Sequence, residues 1–432
     1  MLMQTYEARL DGLRKELGKR GLDGFVIPIS DEHMSEYVGS YAQRLKWLTG
    51  FGGSAGSAAV LKDKAAMFTD GRYTVQVREQ VDGKLYDYED VPATSPAKWI
   101  AANAPEGAKI GYDVWLHGIG WAEDTTKLFA KKGIELVPVD GNPIDAIWDD
   151  QPDASLAAAV PHANEHAGRS SADKRAEVAD WLKHEGYDAT VISALDSVAW
   201  LLNMRGVDVE NTPVALSYVL AHADGTAELF IAPDKVTPEL TKHLGNAVTV
   251  RERSDFQPAL ESLEGKTVAV DPNHAVAGIF HALEAGGAKI VRDADPTVLP
   301  KAIKNPAEQQ GHRDAQARDG AAVSRFLRWL SIEAPKGGVD ELTAAARLRE
   351  FREAGGVLKI AMCLKAGDAH TQGAAAAAMA SLYSARVTSR SPTPGSTRCS
   401  ARTGTAPPCT RRTTPALSST ARSRRTVSVV TS

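Results

Sequence analysis

The chain has 432 residues, 43% of them hydrophobic and 24% charged, with a formal net charge of −4. These values exclude a wholly disordered, collagen-like or small disulfide-stapled protein, and no apolar run approaches the ~18 residues of a membrane span. At roughly 150 residues per domain the length suggests about three domains. The charge balance gives no reason to expect nucleic acid or an anionic membrane as a partner.

The N-terminal stretch MLMQTYEARLDGLRKELGKR lacks an apolar core followed by a small-residue cleavage site, so no signal peptide is expected. Leu10, Leu13 and Leu17 space a helical stripe, and Phe25 to Ile29 reads as a short buried strand. Residues 41–49 read as a helix, and the glycine-rich GFGGSAG at 50–56 reads as a turn cluster. Ser57–Leu61 and Ala65–Thr69 fit a hairpin around Lys62-Asp63-Lys64. Further strands are expected at Lys109–Tyr112 and Ile134–Val137, with a helix between them. This alternation points to a layered α/β domain ending near residue 150.

The same pattern starts again at a shift of 165 residues: Leu13 meets Val178, Leu17 meets Leu182, Gly21 meets Gly186, Asp23 meets Asp188 and Ile27 meets Ile192. The repeat predicts a second domain of related fold. Its strands are expected near 214–221, 226–231, 267–270 and 289–291. A long helix over 306–333 follows, with Asn305 as N-cap, Pro306 at the first position and an apolar stripe of Val323, Phe326, Leu327 and Leu330. A second helix spans Leu342 to Phe351.

Beyond about residue 358 the sequence changes character. All three cysteines, Cys363, Cys399 and Cys409, lie there, and the last lysine is Lys365. Residues 366–432 hold nine Arg and a single acid, Asp368, for a charge of +8, which leaves −12 on residues 1–365. Residues 384–432 contain 11 Thr and 10 Ser, and Leu417 is the only apolar side chain larger than valine among them. Such a stretch has too little to bury and is expected to be disordered.

Seven segments together resemble the three-domain Xaa-Pro aminopeptidases (aminopeptidase P, creatinase-like M24 metallopeptidases). They are SDEHMSEY at 30–37, LTGFGGSAG at 48–56, FTDGRY at 68–73, IWDDQP at 147–152, ALDSVAWLLNMRGVD at 194–208, AIKNPAE at 302–308 and APKGG at 334–338. The resemblance implies two tandem creatinase-type N-terminal domains, at 1–150 and 151–304, each a mixed sheet flanked by helices. It implies a pita-bread catalytic domain opening at 305–357 and leaves a non-family tail at 358–432. It further implies release of an N-terminal residue that precedes proline, two divalent metal ions (usually manganese) held by carboxylates and a histidine, and a cytoplasmic enzyme acting on peptides. The absence of cysteine from residues 1–362 is compatible with a reducing compartment.

The chain departs from that family where the ligands should begin. No Asp or Glu follows Asp368 and His370 is the last histidine, so the family's ligand set has no counterpart. A lone histidine cannot hold a dinuclear site. No catalytic, cofactor-binding or metal role is therefore assigned to any residue, and no cofactor is expected in this chain. The Arg/Ser/Thr-rich composition suggests a reading-frame change near residue 358; a genuine basic interaction tail is the rival reading. The alternative function is a non-catalytic binding or homodimerising module built from the two N-terminal domains.

Other groupings carry less. Residues 50–56 lack the Lys-Ser/Thr ending of a phosphate loop and read as a close-approach turn. Asp31, Glu32, His33 and Glu36 could suggest a metal site, but their place after a strand favours a structural or solvated surface role. Asp70 and Arg72 read as an N-cap and its ion pair. His33, His117 and His166 are scattered and read as satisfied core or surface residues. Arg411, Arg412, Arg422, Arg424 and Arg425 lack the interleaved aromatics of a nucleic-acid surface.

Overall fold

The first helix, Tyr6–Lys19, is capped by the Thr5 hydroxyl, which accepts from the Ala8 N–H. It buries Leu10, Leu13 and Leu17 on one stripe. This is a computed structural model, and it describes residues 5–355. The expectations for the tail at 358–432 fall outside the described residues.

The helix lies on a six-stranded sheet whose spatial order is Asp87–Asp90, Ala65–Thr69, Gly56–Leu61, Gly24–Pro28, Lys109–Tyr112, Glu135–Pro138. The strand Gly24–Pro28 pairs antiparallel with Gly56–Leu61 and parallel with Lys109–Tyr112, so the sheet is mixed. Side chains alternate across it with the strand period of two. Phe25, Ile27, Ala58 and Val60 pack under the first helix, whereas Val26, Ala59 and Leu61 face helices Pro96–Asn103 and Ile119–Ala130. Helices on both faces give the three-layer arrangement expected of the α/β pattern.

The second sheet repeats this order strand for strand: Val248–Arg251, Ala227–Ile231, Ser217–His222, Ala189–Ile192, Thr267–Val270, Lys289–Arg292. The 165-residue shift holds through the opening unit. Leu13 and Val178 are buried on corresponding helices, and Ile27 and Ile192 on the central strands. Shorter loops then reduce the shift, to 158 by the fifth strand in the chain order of each domain, where Lys109 corresponds to Thr267.

The two domains share a seam. Gly118 and Val276 form an antiparallel bridge, and the same 158-residue shift relates them, so corresponding segments meet about a local twofold. The Ala277 N–H donates to the His117 carbonyl at 2.7 Å and the Gly278 N–H to the Val114 carbonyl at 2.8 Å. Tyr112, Ile119 and Ala122 of the first domain join the core of the second. At the end of helix Ala277–Ala285, a Cβ on Gly286 would stand 2.5 Å from the Glu261 carbonyl oxygen and 2.7 Å from its Cα. Backbone cannot yield there as a side-chain tip can. Gly286→Ala is expected to cost about 1–3 kcal/mol by overpacking, read by chemical denaturation; an unchanged midpoint would show that this helix separates freely from Phe256–Glu261, the helix that Glu261 ends.

A helical hairpin follows. Asn305 and Glu308 form a reciprocal capping box at the start of Pro306–Glu333, with Pro306 in the first turn. The second helix, Glu341–Ala354, packs Ala344 and Leu348 against it, and Arg352 grips both oxygens of Asp319 at 2.7 and 3.2 Å. Phe326 and Leu330 are buried as the stripe predicts, but Leu327 is 46% exposed and Leu342 82%. The hairpin is too narrow to cover the whole stripe.

Candidate functional site

Three of the segments singled out in the first domain meet at one end of its sheet. Strand Gly24–Pro28 runs out into 30–37, 50–56 runs into Gly56–Leu61, and Ala65–Thr69 runs out into 70–73. The antiparallel registers Pro28↔Ser57 and Gly56↔Thr69 set these ends side by side. The Ser54 and Tyr73 hydroxyls are 2.8 Å apart, and the Phe51 ring meets Tyr73 edge-on at 5.6 Å. A Cβ on Gly53 would stand 2.4 Å from Phe51 and 2.7 Å from Tyr73, so the glycine-rich stretch is the close-approach turn its composition suggests.

Asp70 caps the turn Gly71–Tyr73, accepting from the Arg72 N–H at 2.9 Å and from its guanidinium at 2.7 Å. Arg72 holds the Asp70 carboxyl below its usual range. The expected N-cap and ion pair are both present, on an exposed loop.

The acids at 31–36 take a structural role. No helix forms over 31–36. Nor is the segment solvated throughout: Asp31 is fully buried, and its Oδ1 accepts from the backbone N–H groups of His33 and Ser35, both at 3.0 Å. Glu32 turns to the seam, where its Oε1 accepts from the Tyr41 hydroxyl of its own domain at 2.8 Å and from Arg253 of the second. His33 is buried with Nδ1 2.9 Å from the Ser193 carbonyl and Nε2 3.1 Å from the Arg253 guanidinium. Its ring stacks on Tyr218 at 4.4 Å, and Tyr218 on Phe256 at 4.0 Å. Glu36 alone of the four stays exposed, 3.5 Å from Ser54.

Electrostatics follow from the packing. Burial by itself would raise the Glu32 carboxyl, but the Arg253 guanidinium outweighs it and holds the group at about 2. Burial, aided by Arg253, drives His33 below its ordinary value. His117 is buried with Nδ1 2.9 Å from the Asp113 carbonyl, its Nε2 has no partner, and burial pushes it down to about 4. His166 sits on a short exposed helix. The arginines at 411–425 and His370 lie outside the described residues.

Sequence reasoning missed the buried basic groups. Lys174 is almost fully buried, donating to the Trp200 carbonyl at 2.9 Å and to Asn203 at 2.7 Å, with its ammonium 4.3 Å from the Trp200 ring centroid. Burial lowers it to about 8. It lines a cavity of about 370 Å³ together with Trp181, Trp200, Asp293 and Leu299. Lys235 and Asp208 form a buried ion pair. Nothing in the local pattern separates these lysines from exposed ones.

Among the described residues, no three His, Cys, Asp or Glu side chains are grouped to hold a metal ion. The described residues therefore do not fit a dinuclear centre. No described helix is long and apolar enough to cross a membrane.

The Creatinase/Prolidase N-terminal domain family matches twice, over residues 9–147 and 150–308. Aminopeptidase P1 of Arabidopsis thaliana is 34% identical over 72% of this chain and 52% of its own length. Xaa-Pro aminopeptidase 2 of Sus scrofa is 31% identical over 80% of this chain and 53% of its own. The chain belongs to the aminopeptidase P family of M24 metallopeptidases. The X-prolyl aminopeptidase of Caenorhabditis elegans, described as a cytosolic enzyme with a di-nuclear active site, has a similar structure. It shows 27% identity and a TM-score of 0.76 over 81% of this chain and 60% of that one. The chain spans about half the length of the curated relatives it matches.

Proposed function

We propose that this family chain carries both N-terminal domains of an Xaa-Pro aminopeptidase, and that its catalytic domain breaks off near residue 357, after the opening helices. As written it is then inactive. The observation that carries this reading is the missing donor set: none is grouped among the described residues, and no carboxylate side chain follows Asp368. Metal-assisted hydrolysis requires an ion held by several deprotonated ligands within reach of the scissile carbonyl. The reading-frame change near residue 358 accounts for the loss, since the composition shifts within a domain rather than at its edge. With the frame restored, the chain acts in the cytoplasm on peptides with proline at the second position, with two divalent ions, manganese by family habit. A second reading, a non-catalytic binding or dimerising module made of the two N-terminal domains, draws support from the two six-stranded sheets that the described residues form without the catalytic region.

The test is metal content and turnover together. Dialysed against manganese, the purified chain is expected to retain no stoichiometric metal pair and to leave an X–Pro peptide uncut, and a frame-restored chain to gain both. Chelator-sensitive cleavage by the chain as written would sink the proposal. A concentration-dependent dimer without cleavage would favour the second reading.

A further inference from the structure

We propose that the seam between the two domains is a proton-operated joint, closed while His33 and His117 are neutral and opened when they take up protons in mildly acidic solution. The hydrogen bonds fix the neutral form of His33 from both sides. Arg253 can only donate, so Nε2 of His33 accepts from it, and Nδ1 carries the hydrogen that goes to the Ser193 carbonyl. A proton added at Nε2 would set donor against donor at 3.1 Å and place two cations together against the Tyr218 ring.

Charged and titratable groups face His33 from both domains: Asp31 and Glu32 favour its protonated form, Arg253 and burial oppose it, and Asp31 Oδ2 is buried without a partner. Asp31, on its own segment, accepts with Oδ1 from two backbone N–H groups. Glu32 is held by Tyr41 and Arg253. From the second domain come Arg253 and the Tyr218 ring. Neither carboxylate forms a hydrogen bond to the ring, whereas Arg253 meets it directly.

His117 repeats the arrangement at the other contact. Its Nδ1 hydrogen goes to the Asp113 carbonyl of its own loop, its Nε2 has no partner, and Trp121 and Tyr112 enclose the ring at 4.1 and 5.8 Å. The one carboxylate nearby, on Asp113, accepts from Asn142 and the Trp115 N–H instead. The second domain closes over this loop through the Ala277 bond to the His117 carbonyl. A proton on Nε2 would be a buried, unpartnered charge.

The sign follows from linkage. Both histidines lie below their ordinary value of 6.5 in the closed seam and regain it on opening. Closure is therefore fully favoured above about pH 6.5 and is lost as pH falls. The closed-to-open ratio drops up to tenfold per pH unit for each histidine, and up to a hundredfold for both. Glu32 does not interfere between pH 6.5 and 5, because its titration lies below its ordinary 4.5.

Hydrogen exchange of the full chain from pH 7.5 to 5, corrected for intrinsic rates, tests this. Peptides covering 30–36, 114–118, 251–256 and 275–278 should open with a logarithmic slope between −1 and −2 below pH 6.5. The central strands Gly56–Leu61 and Ser217–His222 should stay protected. His33→Gln should lower the slope by about one, and His117→Phe by up to one. A flat wild-type profile, seam and central strands opening in step, or variants that keep the full slope would each overturn the proposal. The wild-type slope is decisive even if a variant fails to fold.

Discussion

Asp208→Ala is expected to destabilise the second domain by about 3–5 kcal/mol, the cost of leaving a buried charge without its partner. Lys235 Nζ lies 2.6 and 2.7 Å from the two Asp208 oxygens, and the side chains are 2% and 0% exposed. Asp208 Oδ2 also accepts from the Leu216 N–H at 2.7 Å, so the variant orphans a backbone donor as well. The backbone of Lys235 ties the linker in, its carbonyl accepting from the Ala159 N–H at 2.9 Å. The double variant Asp208→Leu/Lys235→Met should recover most of the loss, because it removes the desolvation of both ions together with their attraction. Denaturant unfolding of the two singles and the double measures the coupling. Single variants within about 1 kcal/mol of the parent would mean that water reaches the pair.

That pair, and the seam, mark the limit of what local pattern can disclose. Amphipathic helices, glycine turns and apolar strands repeat with periods that the chain itself displays, so Leu13 with Val178 and Ile27 with Ile192 could be aligned before any fold was known. The capping box at Asn305 and Glu308 is likewise written within four residues. The edge strands Asp87–Asp90 and Val248–Arg251 escaped notice for a physical reason. Edge strands are half-solvated, and the first is laden with acids that blunt edge pairing, so neither shows the apolar run of a central strand. The acids at 31–36 are legible only as a group of polar residues after a strand. What buries Asp31 and His33 is Ser193, Tyr218 and Arg253, which stand 160 or more positions away in the chain. A contact between domains leaves no periodic trace in either segment.

Arg253→Ala should be the most damaging change at the seam, again by about 3–5 kcal/mol at pH 7, because Glu32 keeps only Tyr41 as a side-chain donor. The loss must depend on pH. With Arg253 present, Glu32 titrates near 2 in the fold against an ordinary 4.5, a depressed value. Its stabilising contribution is then present above 4.5 and is lost as pH falls through 2; the difference amounts to about 3 kcal/mol. Without Arg253, only His33 and the remaining hydrogen bonds oppose burial at Glu32, so its carboxyl moves up and the variant gains relative stability as acid protonates it. His33 shifts in the same sense, since removing the cation at its Nε2 relieves part of its depression and of the stability lost below pH 6.5. Unfolding free energies of parent and variant should therefore lie furthest apart near pH 7 and converge toward pH 3. A gap that stays constant from pH 7 to 3 would show that Arg253 acts through packing on Tyr218, with its guanidinium 5.5 Å from that ring, and not through its charge on Glu32.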